Sequence, residues 1–156
     1  MAFYCTHALL EVGSSVKPGN YGRVLRANGY AHAAALRESI LEDVRSRSFS
    51  HLPSRLDAAF YFDHIENARA YNQTERLNFV NWYEVSRLNV HAMEARADFR
   101  RVVPMGMIGL DWAEAYWRGI PLPFADQAKG AECFTETFSV TKLRIERRVD
   151  DEDLNK

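Results

Sequence analysis

Apolar and polar positions alternate with a period that changes several times along this chain, and each change marks the edge of an element. Residues 3–6 are short, aromatic and β-prone, and the turn-forming stretch 13–23 that follows predicts a first strand and then a long loop. Over residues 33–47 the apolar Leu36, Ile40, Leu41 and Val44 recur at helical spacing, with Arg37, Glu38, Glu42, Asp43 and Arg45 on the other faces, which predicts an amphipathic helix. Pro53 ends it, because proline cannot continue a helix and restricts the residue before it. Residues 58–62 then read as a second strand. Asp63 and Glu66 stand at the spacing of a helix N-cap and its N3 acid, so a helix should run from there to about Tyr71. Residues 79–85 predict a third strand and residues 90–95 a fourth.

Further along, Asp111 and Glu114 repeat the capping spacing before a helix whose Trp112 and Tyr116 share one face, and residues 119–123 end it and lead into a loop reaching Gly130. The final stretch, 132–146, has Phe138 and Val140 in one alternation phase and Leu143 and Ile145 in the opposite one. Lys142 marks the slip, which predicts a bulge, bend or turn there. The acidic run 150–153 offers nothing to bury and predicts a solvated, frayed tail. Neither an internal repeat nor a heptad seam is visible.

Composition narrows the class. With 156 residues, 47% of them hydrophobic and 26% charged, the chain suits one α+β domain over residues 1–149, followed by a disordered acidic tail at 150–156. A formal charge of −1 argues against wholesale wrapping of nucleic acid or adhesion to acidic lipid. The two cysteines, Cys5 and Cys133, lack the spacing of a zinc site, and His7, His32, His51, His64 and His91 form no helical metal-ligand pair, so no metal is expected. No segment approaches the roughly 20 apolar residues of a membrane span, and the N-terminus lacks a basic region followed by a long apolar run. A cytoplasmic protein without membrane partners is the expectation. Nucleophile-elbow and phosphate-loop motifs are absent.

Three groups of residues could carry chemistry. Glu132 and Glu136 lie four apart on a predicted strand and so share a face, either toward a cleft or toward water; in a cleft, one carboxylate could stabilise an oxocarbenium-like centre or bind a ribose hydroxyl. Arg23 and Arg55 sit beside loops, and Arg55, with Pro53 and Ser54 fixing the chain before it, could grip phosphates through its fork of donors. Tyr4, Phe60, Tyr61, Phe62 and Tyr71 are mostly core material, although a face left open would stack a heteroaromatic ring. Arg96, Arg100 and Arg101 could contact an RNA backbone, or simply form a solvated stretch.

The order of these features resembles the ADP-ribosyltransferase superfamily. The motifs that carry the resemblance are Tyr4-Cys5-Thr6 on the first strand, Tyr61-Phe62 followed by the helix ending Ala68-Arg69-Ala70-Tyr71, and the late glutamate of Ala131-Glu132-Cys133-Phe134-Thr135. They are similar to those of the diphtheria-toxin and poly(ADP-ribose) polymerase branch, and together they span nearly the whole chain. Tyr4 stands where that branch has a histidine, and the branch's helix serine has no counterpart. The resemblance implies a split β-sandwich of two small sheets with flanking helices, holding NAD as substrate. It further implies nicotinamide between Tyr61 and Tyr71, phosphates near Ser54 and Arg55, and ribose near Tyr4, Thr6 and Glu132. Glu132 would be the catalytic carboxylate and Glu136 would face the acceptor. The expected activity is mono-ADP-ribosyl transfer to a macromolecular acceptor, protein or nucleic acid. The alternative is the same fold used as a non-catalytic interaction module, for which the missing histidine speaks.

Overall fold

A computed structural model describes residues 1–32, 34–75, 80–102, 109–123 and 134–154. Two small antiparallel sheets organise them. The larger has the order β1-β4-β7-β2, from Ala2–Thr6, Asn81–Arg87, Leu143–Val149 and Ser15–Val16; the smaller has the order β3-β6-β5, from Ala59–Tyr61, Thr135–Ser139 and Glu94–Asp98. They meet where Phe3 and Phe62 exchange backbone hydrogen bonds of 2.7 and 2.8 Å. Among the described residues the flanking helices are α1 (Asn20–Asn28), α2 (Ala35–Ser48), α3 (Ile65–Glu75), α4 (Leu110–Trp117) and α5 (Asp151–Leu154). The expected α+β class with two small sheets is what the chain forms.

Strand alternation divides the interior. Ala59 and Tyr61 turn to one side, where they pack with Ala2, Tyr83, Val85, Leu143 and Ile145, while Phe60 and Phe62 turn to the other, against Phe138 and the helices. On β4 the same rule sends Trp82 into the helix-covered cluster and Tyr83 into the opposite one.

Several expectations are corrected. The bend expected near Lys142 is present at residues 140–141, and what it marks is a change of sheet rather than one continuous element: β6 ends at Ser139, and β7 starts at Leu143 in the other layer, so the apolar phase inverts because the chain crosses between two cores. Val140, in the connection, is exposed. The fourth strand lies later than residues 90–95, at Glu94–Asp98, because Asn89, Val90 and His91 form the turn out of β4. Residues 20–23, expected in a loop, open α1. That helix docks closely on the 3-10 turn Arg55–Asp57: a Cβ on Gly22 would sit 2.0 Å from the Leu56 carbonyl oxygen, so only glycine fits.

Helix α2 is where expected but rotated. Its buried stripe is Glu38, Leu41 and Val44, and Leu36 is exposed, because Glu38 is drawn inward by charge. The predicted helix start at Ala33 and strand start at Phe79 lie outside the described residues. Asp63, expected as an N-cap, instead accepts a 2.7 Å hydrogen bond from Thr137 and pairs with Arg96 at 3.1 Å, fastening the start of α3 to the smaller sheet. Nor is the acidic run a frayed end over 151–154: α5 buries Leu154, and the Asp153 carbonyl accepts from Arg69 Nε at 2.8 Å. No helix among the described residues is long and apolar enough to cross a membrane.

Candidate functional site

The chemistry of the interior centres on Arg55, which is buried. Its Nε donates to Glu38 Oε2 at 3.0 Å and its Nη1 to Glu136 Oε1 at 2.6 Å, with a further bond to the Tyr116 hydroxyl. The rings of Phe60, Tyr116 and Phe138 surround the guanidinium carbon, their centroids 4.6, 5.0 and 5.6 Å away. Glu38 also accepts from Arg37 Nε at 3.1 Å and from the Tyr21 hydroxyl at 3.2 Å, while Arg37 donates to the Val102 carbonyl. Two arginines and two glutamates thus balance in charge. Each buried charge has partners, the condition under which buried ions are tolerated. Burial pushes the Glu38 carboxyl up, but Arg55 and Arg37 outweigh it and hold that carboxyl below its usual range. Burial likewise opposes the Arg55 charge, and Glu38, Tyr116 and Glu136 overcome it, keeping the guanidinium protonated well above an ordinary arginine.

Beside this cluster lies a cavity of about 410 Å³, within the range of roughly 300–1,000 Å³ typical of small-molecule sites. Strand β1 contributes Tyr4, Cys5 and Thr6 to its wall, α1 contributes Asn20 and Tyr21, β3 and the residue after it contribute Phe60 and Phe62, α3 contributes Tyr71 and Glu75, and β6 contributes Glu136. Lys17 and Arg37 add positive charge to the lining. Burial pushes the Tyr21 hydroxyl and the Cys5 thiol up to about 12 each and also raises the hydroxyls of Tyr4 and Tyr71, so these groups are neutral hydrogen-bonding partners at neutral pH. Among the described residues no cluster of three or more His, Cys, Asp or Glu is placed to hold a metal ion.

The structure brings Tyr4, Thr6, Arg55, Tyr71 and Glu136 to one hollow although they span much of the sequence. Glu132, expected as the catalytic carboxylate, lies outside the described residues. Two expected ligand contacts fail. Tyr61 is fully buried on the far side of the sheet with its hydroxyl on Glu94, because it alternates with Phe60 and Phe62, so it cannot face Tyr71 across a nicotinamide. Ser54 donates to Glu42 Oε2 at 2.8 Å and accepts from the Leu56 amide, capping the 3-10 turn away from the cavity. Arg55 lines the hollow, but its donors are engaged by its own protein neighbours, so it is not the phosphate grip expected of it. Arg96, Arg100 and Arg101, which could have contacted an RNA backbone or formed a solvated stretch, bond respectively to Asp63, to Asp98, and to the carbonyls of Ile120 and Pro121.

Glu38, Tyr116 and Glu75 were not singled out from sequence. Glu38 carried a usable sign, since it falls on the same helical stripe as Leu41 and Val44, where a lone acid has to find a buried cation. Glu75 follows Tyr71 by one helical turn and therefore shares its face. No protein-family model matches the chain, and no protein of curated function matches its sequence.

Proposed function

We propose that this cavity binds NAD and that the protein transfers a single ADP-ribose unit to a macromolecular acceptor, protein or nucleic acid, in the cytoplasm. The observation that carries the reading is the convergence of Tyr4, Thr6, Tyr71 and Glu136 on one hollow between the two sheets. The residues present suit the ligand: Phe60, Phe62 and Tyr71 offer aromatic surface for a flat ring, and Tyr4 and Thr6 offer hydroxyls for ribose. With Arg55 committed to the interior, Lys17 is the lining cation that would meet the diphosphate. Glu136 takes the part expected of Glu132. Bound NAD supplies a cationic nicotinamide leaving group; as it departs, positive charge develops on the ribose, and a fixed carboxylate stabilises that state more than the ground state.

A second reading, a non-catalytic module that binds a partner through the same fold, is favoured by the Arg55–Glu136 ion pair, which offsets the carboxylate's charge from inside. Calorimetric titration with NAD, together with an assay for nicotinamide release, separates the two. The enzymatic reading expects saturable NAD binding, weakened by Tyr71→Ala, and turnover that Glu136→Gln lowers by about two orders of magnitude or more, the scale seen when one group stabilising a transition state is removed. Absence of NAD binding or of nicotinamide release would leave the interaction module as the better account, while turnover unchanged in Glu136→Gln would overturn the part given to that carboxylate.

A further inference from the structure

Among the charged side chains lining the cavity, Glu75 is the acid not consumed by the buried cluster. It occupies the last turn of α3, four residues after Tyr71, so both project from one helical face into the same hollow. It makes no ion pair among the described residues, whereas Glu136 on the opposite wall is bound by Arg55 and Tyr116. Tyr71 lines the same hollow as both carboxylates. One carboxylate is thus held by a guanidinium, and the other has no such partner among the described residues.

Resting on the NAD-binding reading above, we propose that Glu75 is the general base of the reaction and that the acceptor group is a neutral hydroxyl. The balance is simple. The acceptor oxygen bonds to the ribose carbon as its bond to nicotinamide breaks; the electron pair of that bond leaves with nicotinamide, which departs neutral, and the hydroxyl proton passes to the Glu75 carboxylate and then to water. A nucleophile already ionised would need no such base. Burial raises the Glu75 carboxyl, against a lowering contribution from Arg37, in the direction that makes a carboxylate a better proton acceptor. Among the described residues, the titratable and charged groups that line the same hollow are Tyr4, Cys5 and His7 from β1 and the residue after it, Lys17 and Tyr21 from the α1 side, Arg37 from α2, and Arg55, Tyr71 and Glu136.

The test uses the whole chain with NAD, water as acceptor and methanol as an added hydroxyl. Wild type should release nicotinamide and form the methyl glycoside of ADP-ribose, with a rate that rises with pH through an acid limb centred above the ordinary glutamate value of about 4.3. Glu75→Gln should bind NAD within about threefold of wild type while turnover falls by roughly 10²–10⁴-fold and the acid limb disappears; Glu75→Asp should restore part of the rate and the limb. Independently of activity, the Glu75 carboxyl carbon in labelled protein should titrate above its usual range. If Glu75→Gln binds NAD and turns it over within about threefold of wild type, or retains the acid limb, the base assignment is overturned while NAD-dependent transfer stands. If wild type binds NAD but releases no nicotinamide into water or methanol, or fails to bind NAD at all, both readings fall together.

Discussion

Replacing Arg55 by methionine is the sharpest perturbation of this fold, because it removes one cation from between two buried carboxylates. Glu136 would keep only the Tyr116 hydroxyl, at 2.8 Å, and Glu38 would keep Arg37 and Tyr21. Removing one partner of a buried ion pair costs about 3–5 kcal/mol, mostly the penalty of the charge left behind. At about 2–4 °C per kcal/mol for a domain of this size, the midpoint of thermal unfolding should fall by roughly 6–20 °C. Urea unfolding followed by fluorescence of Trp82, Trp112 and Trp117 would measure it. The pH dependence supplies a second constraint. In wild type the Glu38 carboxyl is depressed, so its contribution is present above the unfolded value and is lost as pH falls through the folded one. In Arg55→Met the largest charge opposing burial is lost, the Glu38 carboxyl rises, and the penalty is relieved as it protonates. The difference between the two proteins should therefore shrink from pH 7 toward pH 5. Adding Glu136→Met to Arg55→Met should recover part of the loss at pH 7, since an apolar pair needs no counter-charge. A single variant within about 1 kcal/mol of wild type, or a gap that widens on acidification, would refute this account of Arg55 and return it to the role of a solvent-facing ligand grip.

Two further outcomes follow from the packing and the chemistry of the site. Gly22→Ala should destabilise by roughly 1–3 kcal/mol in the same urea assay, since its methyl would have to displace the Leu56 backbone, whereas Gly13→Ala would meet no neighbour within 4 Å and lose only the ease of its positive φ. In a Cys133→Ser background, Cys5 should resist a disulfide reagent at pH 8 in the folded protein and react at once in urea, because its thiol is pushed up to about 12 by burial; rapid labelling of the native state would contradict that burial.

Elements with one strong period were legible from sequence; those whose meaning depends on a distant partner were not. The helix over 35–48 and the strands near 3–6, 58–62 and 79–85 declare themselves because burial of one face sets a local period. The opposed phases of Phe138 and Leu143 were equally visible, but a sequence cannot say whether a slip is a bulge within one sheet or a crossing between two. Helix α1 escaped notice because its Asn20, Gly22 and Asn28 carry turn character, and its place is set by the close approach of Gly22 to residue 56. Tyr4, Thr6 and Tyr71 were drawn together through short motifs, and Glu136 through its four-residue spacing from Glu132. Ser54, Arg55 and Tyr61 were misjudged for one reason: what a polar or aromatic side chain does is decided by which partner reaches it first, and Glu42, Glu38 with Glu136, and Glu94 reach these three.

The Arg55 cluster also limits what Glu136 can do in the proposed reaction. A carboxylate with a guanidinium 2.6 Å away projects little net field across a cavity, since the two charges cancel beyond contact range. Its influence is confined to groups it touches, which suits gripping a ribose hydroxyl and not attracting or deprotonating an acceptor. In the proposed reaction that leaves the mobile proton to Glu75 of α3, which makes no ion pair among the described residues. The consequences of the two substitutions therefore divide. Glu136→Gln leaves the buried cluster with two arginines against Glu38 alone and should cost stability as well as turnover, while Glu75→Gln, at a half-exposed helix end, should spare the fold and alter only the rate and its pH dependence. An enzyme whose two carboxylates behaved alike under those substitutions would not be built on this division of labour.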